Sequence, residues 1–264
     1  MKVYFIGAGP GAADLITLRA KKLIETCPVI LYAGSLVPEE VLSFAPEETR
    51  KINTAPLALG EIIDELKKAA SEGKDVARLH SGDPSLYSAI AEQGALLKEL
   101  GIDYEVVPGV PAFAAASAAL GLELTLPEIN QTVILTRTSK RASAMPETES
   151  LKVLGASKAL LAIHLSAKNT DHIIKELVPH YGEDCPVYIT CDVTWPTEKN
   201  VKTTLKDLSE TVKEHGIERT AIIFVGKALD QELVRKSALY DKDHNRHLKP
   251  VKDYSQLPTT TPKG

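Results

Sequence analysis

A chain of 264 residues, 44% apolar and 25% charged, has the make-up of a soluble globular protein and the length for two domains of roughly 100–150 residues. A formal charge of −4 argues against a nucleic-acid partner, which favours a basic surface. No stretch approaches the ~20 apolar residues of a membrane span, and Cys27, Cys185 and Cys191 lack metal-site spacing, as expected of reduced thiols in the cytoplasm.

The first half alternates two patterns. Short apolar runs at Val3–Ile6, Val29–Tyr32, Val76–Leu79 and Tyr104–Val107 are rich in β-branched residues and soon meet Gly, Pro or Ser. They predict buried strands of a largely parallel sheet. Between them, Asp14–Thr26, Leu59–Ser71 and Ser85–Leu100 carry apolar residues at helical spacing, and Gly73 marks a stop. This βαβα order predicts an open α/β sheet. Pro111–Leu120 is nearly all small residues, which predicts a helix that another element packs against closely.

The second half opens with a strand at Thr132–Thr136, and the polar stretch Arg137–Glu149 reads as a loop. Strands at Ala159–Leu165, Val187–Thr190 and Ala221–Val225, a helix at Thr170–Tyr181 and a further strand over Lys199–Thr204 make a second α/β unit. The end is polar and aperiodic, and reads as a loose tail. The expected organisation is an N-terminal α/β domain over 1–120, a C-terminal α/β domain over 121–232 and a polar tail over 233–264.

Ligands of open α/β sheets sit beyond the carboxyl ends of strands, and the motifs here all follow strands. Gly7-Ala8-Gly9-Pro10-Gly11-Ala12 is open to three readings: a dinucleotide loop, a purely structural turn, or a flexible loop whose glycines let the backbone approach a bulky planar ligand. The first lacks its acidic residue, since the second strand ends Leu31-Tyr32-Ala33-Gly34-Ser35. Pro10 also removes an N–H that a pyrophosphate would use. After the third strand, Ser81-Gly82-Asp83-Pro84-Ser85 is a turn in which Asp83 or Ser85 caps a helix; alternatively its backbone lies against a cofactor, with Asp83 shaping the turn or meeting a cationic ligand. His80 is a weak candidate base, or a structural histidine. His164, inside an apolar strand, reads as a core residue, and Trp195 either packs locally or covers one wall of a cleft.

These two loops, followed by Val106-Val107-Pro108-Gly109-Val110, resemble the tetrapyrrole methylase family over about residues 1–230. Within it, the strings Leu31–Pro38, Leu135–Thr138, Arg141–Pro146 and Thr194-Trp195-Pro196 resemble the branch that methylates precorrin-4 at C11. The resemblance implies two α/β domains with S-adenosylmethionine (SAM) in the cleft between them, and S-adenosylhomocysteine as product. By position, Ser81, Gly82, Asp83, Leu86 and Tyr87 would meet SAM, with Pro111 and Ala112 beside them. Leu165, Val193 and Gly226 would complete that set from the second domain. Gly9, Pro10 and Gly11 would belong to the active site on the substrate side.

The implied function is C-methylation of a tetrapyrrole in cobalamin (vitamin B12) biosynthesis, precorrin-4 to precorrin-5. The cobalt-precorrin-4 counterpart is the alternative, and Gly34 resembles the oxygen-dependent pathway. Such a substrate carries many carboxylates, for which Arg137, Lys140 and Arg141 offer positive charge, unless they are a solvated surface loop. A cytoplasmic homodimer without a bound metal is implied. A nicotinamide- or flavin-dependent oxidoreductase, and a non-catalytic tetrapyrrole- or nucleotide-binding protein, are the readings from other classes.

Overall fold

The computed structural model describes residues 1–139 and 144–230. Lys140, Arg141 and the tail expected over 233–264 lie outside the described residues.

In the first half, β1 (Lys2–Gly7), β2 (Val29–Tyr32), β3 (Arg50–Asn53), β4 (Val76–His80) and β5 (Asp103–Val107) form one sheet in the order β3-β2-β4-β1-β5. Every pairing in it is parallel. Four helices serve it: α1 (Leu18–Thr26), α2 (Glu39–Leu42), α3 (Leu59–Ser71) and α4 (Ile90–Glu99). One face buries Ile6, Ile30 and Leu79 with Ala20 and Ile24 of α1. The other buries Val3, Phe5 and Leu31 with Leu66 of α3 and Leu97 of α4. Burial on both faces is why these strands read as continuous apolar runs.

Two helices start later than their periodicity suggests, each for a local reason. The Thr17 hydroxyl accepts from the Ala20 N–H at 3.2 Å, so α1 begins at Leu18 rather than Asp14. Residues 85–89 are held in a turn with left-handed backbone at Tyr87 (φ 55°) and Ala89 (φ 52°), so α4 begins at Ile90 rather than Ser85.

The second half begins with α5 (Ala112–Ala119) and holds β6 (Val133–Arg137), β7 (Leu160–His164), β8 (Pro186–Cys191), β9 (Lys199–Thr204) and β10 (Ala221–Val225). These strands form a sheet in the order β6-β7-β10-β8-β9. Helices α6 (Leu151–Gly155), α7 (Thr170–Tyr181) and α8 (Leu208–Glu214) accompany it. Only β6 and β7 run parallel; β10 is antiparallel to both neighbours. One face packs Leu161, Ile163, Val187 and Ile223 with Ile173 and Leu177 of α7. The other packs Leu160, Ala162, Ile222 and Phe224 against Ala115 and Ala116 of α5. The small residues of α5 thus bring it close to the second sheet, while its N-terminus starts at the first sheet's loops. This helix couples the two lobes.

Candidate active site between the lobes

The loops after β1, β4 and β5 meet backbone to backbone. Ala8 N–H donates to His80 O at 2.8 Å, and Gly9 and Gly82 exchange N–H to carbonyl bonds at 3.3 and 2.7 Å. Asp83 ties this turn to the third loop. Its Oδ2 accepts from Gly109 N–H and its Oδ1 from Ser85 N–H, both at 2.8 Å, and Oδ1 also takes the Ser85 hydroxyl. Desolvation raises the Asp83 pKa, but the bonds from Ser85 and Gly109 outweigh it and hold the carboxyl below its usual value. Its charge therefore organises the turn.

A loop of the second lobe, residues 192–198, latches onto the β1 loop. Trp195 Nε1–H donates to Pro10 O at 3.0 Å, and Ala12 N–H donates to Thr194 Oγ1 at 2.8 Å. Gly11 lies under the indole: a Cβ there would stand 2.5 Å from Trp195 Cδ1 and 2.7 Å from Thr194 Oγ1. The latch loop is itself braced. Glu198 accepts from Thr194 N–H at 2.6 Å, and Asp192 accepts from the Thr197 hydroxyl at 3.0 Å. The β1 loop is thus pinned rather than flexible, and its glycine at 11 answers a close approach of protein. Trp195→Phe keeps the ring and loses the bond to Pro10; a loss of about 1 kcal/mol in urea unfolding is expected.

Three rings also meet across the lobes. His164, at the end of β7, lies 5.5 Å from the Tyr87 ring and 6.5 Å from Phe113 of α5, centroid to centroid. Its Nε2 is buried without a protein partner, and burial holds its pKa down at about 4. Next in the chain, Leu165 has φ 53° and is 68% exposed. Tyr87 is likewise left-handed and 46% exposed. Large side chains exposed on left-handed backbone on both lobes make this junction the candidate site. Arg137, paired in register with His164 across β6 and β7, lies near enough that its charge acts on the Tyr87 hydroxyl. A cavity of about 390 Å³ adjoins Leu165 and Thr138, with Lys168 and Arg219 at its walls.

A sequence profile described as Tetrapyrrole (Corrin/Porphyrin) Methylases matches residues 2–209. The chain belongs to this family. A precorrin-4 C(11)-methyltransferase from Sinorhizobium sp is 52% identical over 249 residues, 94% of this chain and 98% of that protein. The X-ray structure of a cobalt precorrin-4 methyltransferase, a cobalamin biosynthetic enzyme, is similar with a TM-score of 0.84 at 43% identity, covering 87% of this chain and 96% of that one. A uroporphyrin-III C-methyltransferase from Thermus thermophilus, solved with S-adenosyl homocysteine, gives a TM-score of 0.73 at 27% identity, covering 89% of this chain and 96% of that one.

The methylase brings most of the residues singled out from its sequence to one place. Ser81, Gly82, Asp83, Leu86 and Tyr87 form a single turn, and Pro111 and Ala112 bound the space over Gly82, each 3.7 Å from where a Cβ on it would stand. Leu165 leaves the end of β7, and buried Val193 sits between left-handed Asp192 (φ 48°) and Thr194 (φ 66°) after β8. Gly226 is the exception. Because β10 runs antiparallel, Val225 pairs with Leu161 and with Val187, so Gly226 emerges at the opposite end of the sheet, about 16 Å along the strands from Leu165. The expectation that it shares their cleft is corrected accordingly.

His80 also departs from its candidate role. It is 5% exposed and packs on the Phe5 ring at 5.8 Å. Burial, helped by the charge of Arg78, holds its pKa down at about 3, too low for a useful base near neutral pH. His164 is corrected in the other direction: it sits at the junction of the lobes, half-buried, rather than in the core of its own. Phe113 and the latch through Thr194 and Trp195 carried no local signal of their roles beyond a lone tryptophan in a loop.

Proposed function

We propose that this methylase transfers the methyl group of SAM to C11 of precorrin-4, giving precorrin-5 in cobalamin biosynthesis. The reading is carried by the near full-length likeness to a precorrin-4 C(11)-methyltransferase. The homologue holding S-adenosyl homocysteine supports the choice of methyl donor. The residues present suit such a ligand, since an exposed leucine on strained backbone and a buried ring nitrogen without a protein partner are what a ligand-holding surface offers. Ser81, Gly82, Leu86, Tyr87, Pro111 and Ala112 would hold the donor from one lobe, Leu165 and Val193 from the other. Asp83 would act by fixing the turn. A cytoplasmic homodimer completes the proposal.

SAM supplies a methyl group already activated by its sulfonium, and an electron-rich ring carbon attacks it without a strong base. The protein's part is orientation and exclusion of water, worth several kcal/mol of barrier. The ring proton then passes to water or a weak base. Positive charge for the substrate's carboxylates comes from Arg137 at the end of β6, with Arg219 at the adjoining cavity, where Lys168 is already paired with Glu218 at 2.9 Å; Lys140 and Arg141 lie outside the described residues. Arg137→Ala is expected to raise the KM for the tetrapyrrole about tenfold or more and to alter the SAM Kd far less. An unchanged KM would reject that assignment.

Calorimetric titration with S-adenosylhomocysteine and, separately, NADH tests the cofactor. Binding of the first and not the second is expected. Binding of NADH alone would replace this reading with an oxidoreductase.

A further inference from the structure

We propose that the rings of Tyr87, Phe113 and His164 form the surface that receives the positively charged sulfonium of the methyl donor. The inference rests on the SAM reading above and goes beyond it in naming what meets the charge.

A sulfonium in a cleft has to be balanced by something electron-rich. The carboxylates of the turn and of the latch keep their charge but are tied by hydrogen bonds to their own and neighbouring loops. Both oxygens of Asp83 hold Gly109 and Ser85. Asp192 takes the hydroxyls of Thr197 and Thr220, and Glu198 takes Thr194 N–H and the Asn200 amide. Glu149 and Arg137 act on the Tyr87 hydroxyl with opposite signs, and Glu149 is exposed, so water screens it. Ring faces remain. Tyr87 comes from the turn after β4, Phe113 from α5 and His164 from the end of β7, so the trio forms only where the lobes meet, with centroids 5.5 and 6.5 Å from that of His164. A cation within about 6 Å of a ring centroid is attracted by the ring's quadrupole.

The state of His164 fits this role. Protonated, it would repel the sulfonium; its Nε2 is buried with no protein partner, and burial keeps the ring neutral. The arrangement also distinguishes donor from product. Once the methyl group has left, the sulfur is an uncharged thioether, and the rings lose that attraction while every other contact stays.

The test compares SAM with S-adenosylhomocysteine, which differ at the sulfur. Calorimetric Kd values for both ligands are measured on the full chain, on Tyr87→Leu and Phe113→Leu, and on Tyr87→Phe. The leucine variants are expected to weaken SAM about three- to thirty-fold more than S-adenosylhomocysteine, and Tyr87→Phe, which keeps the ring face, to preserve the unmutated ratio. Equal weakening of both ligands would mean that the rings hold the shared adenosyl part, or only the fold, and would overturn the inference. So would leucine variants with unchanged SAM affinity. Unmutated protein that binds neither ligand would overturn the SAM reading, and this inference with it.

Discussion

Gly109→Ala is expected to destabilise the protein by about 3 kcal/mol and to abolish methyl transfer. A Cβ at this position would run into the carbonyl oxygen of Gly82 and stand 2.8 Å from Gly7 Cα. Both obstacles are backbone, so no side chain can turn away to make room. The loops after β1, β4 and β5 would have to separate, and the bond from Gly109 N–H to Asp83 would go with them. The effect reaches function because the same movement displaces the turn that carries Tyr87. Gly60→Ala is the control: nothing lies within 4 Å of its added Cβ, it stands in α3, and a gain of about 0.5–1 kcal/mol is expected. Urea unfolding of the two variants, with activity measured alongside, separates the cases. A Gly109→Ala protein of normal stability and activity would show that the three loops do not meet in this way.

Stability is also expected to fall steeply as the pH drops from about 6.5 towards 4. His80 and His164 have folded-state pKa values held down to about 3 and about 4, chiefly by burial. In the unfolded chain each titrates near 6.5. Above that pH both states carry neutral rings, and the stabilisation is complete. Below it the unfolded chain takes up protons that the folded protein refuses, so stability is lost until the folded values are reached. Neither Nε2 has a protein partner, so a proton there would leave a buried charge unmatched. Each histidine contributes a slope of about 1.4 kcal/mol per pH unit, or roughly 3–5 kcal/mol over its whole range. His80→Asn should remove about half of the slope between pH 6 and 4.5, read from urea midpoints at a series of pH values. A flat profile in that window would contradict the burial assigned to both rings. Asp83, whose pKa is lowered, acts below about pH 4, outside this window.

The buried strands and long amphipathic helices were legible because burial on both faces, or on one stripe, leaves a direct mark on composition. Val29–Tyr32, Leu59–Ser71 and Thr170–Tyr181 have the same bounds in the sequence pattern and in the fold. Strand β3 escaped because Arg-Lys-Ile-Asn lies at the sheet edge, half-buried at best. Strand direction in the second lobe was not legible at all. A run such as Ala221–Val225 reads the same either way, and only pairing shows that Gly226 leaves the wrong end for the cleft. The turn over Ser81–Tyr87 could be found because Gly-Asp-Pro has local chemistry. The latch could not be, since Thr194 and Trp195 meet Ala12 and Pro10 across more than 180 residues. His164 misled for a related reason: an apolar strand dilutes the one polar ring whose environment depends on Tyr87 from the first lobe and on Phe113 of α5, far from it in the chain.

The most direct test is mass spectrometry and carbon NMR of the product formed from precorrin-4 and SAM bearing a deuterated methyl group. The account predicts one added deuterated methyl, located at C11, with S-adenosylhomocysteine released in equal amount. An unmodified tetrapyrrole, or a label on a different ring carbon, would contradict it.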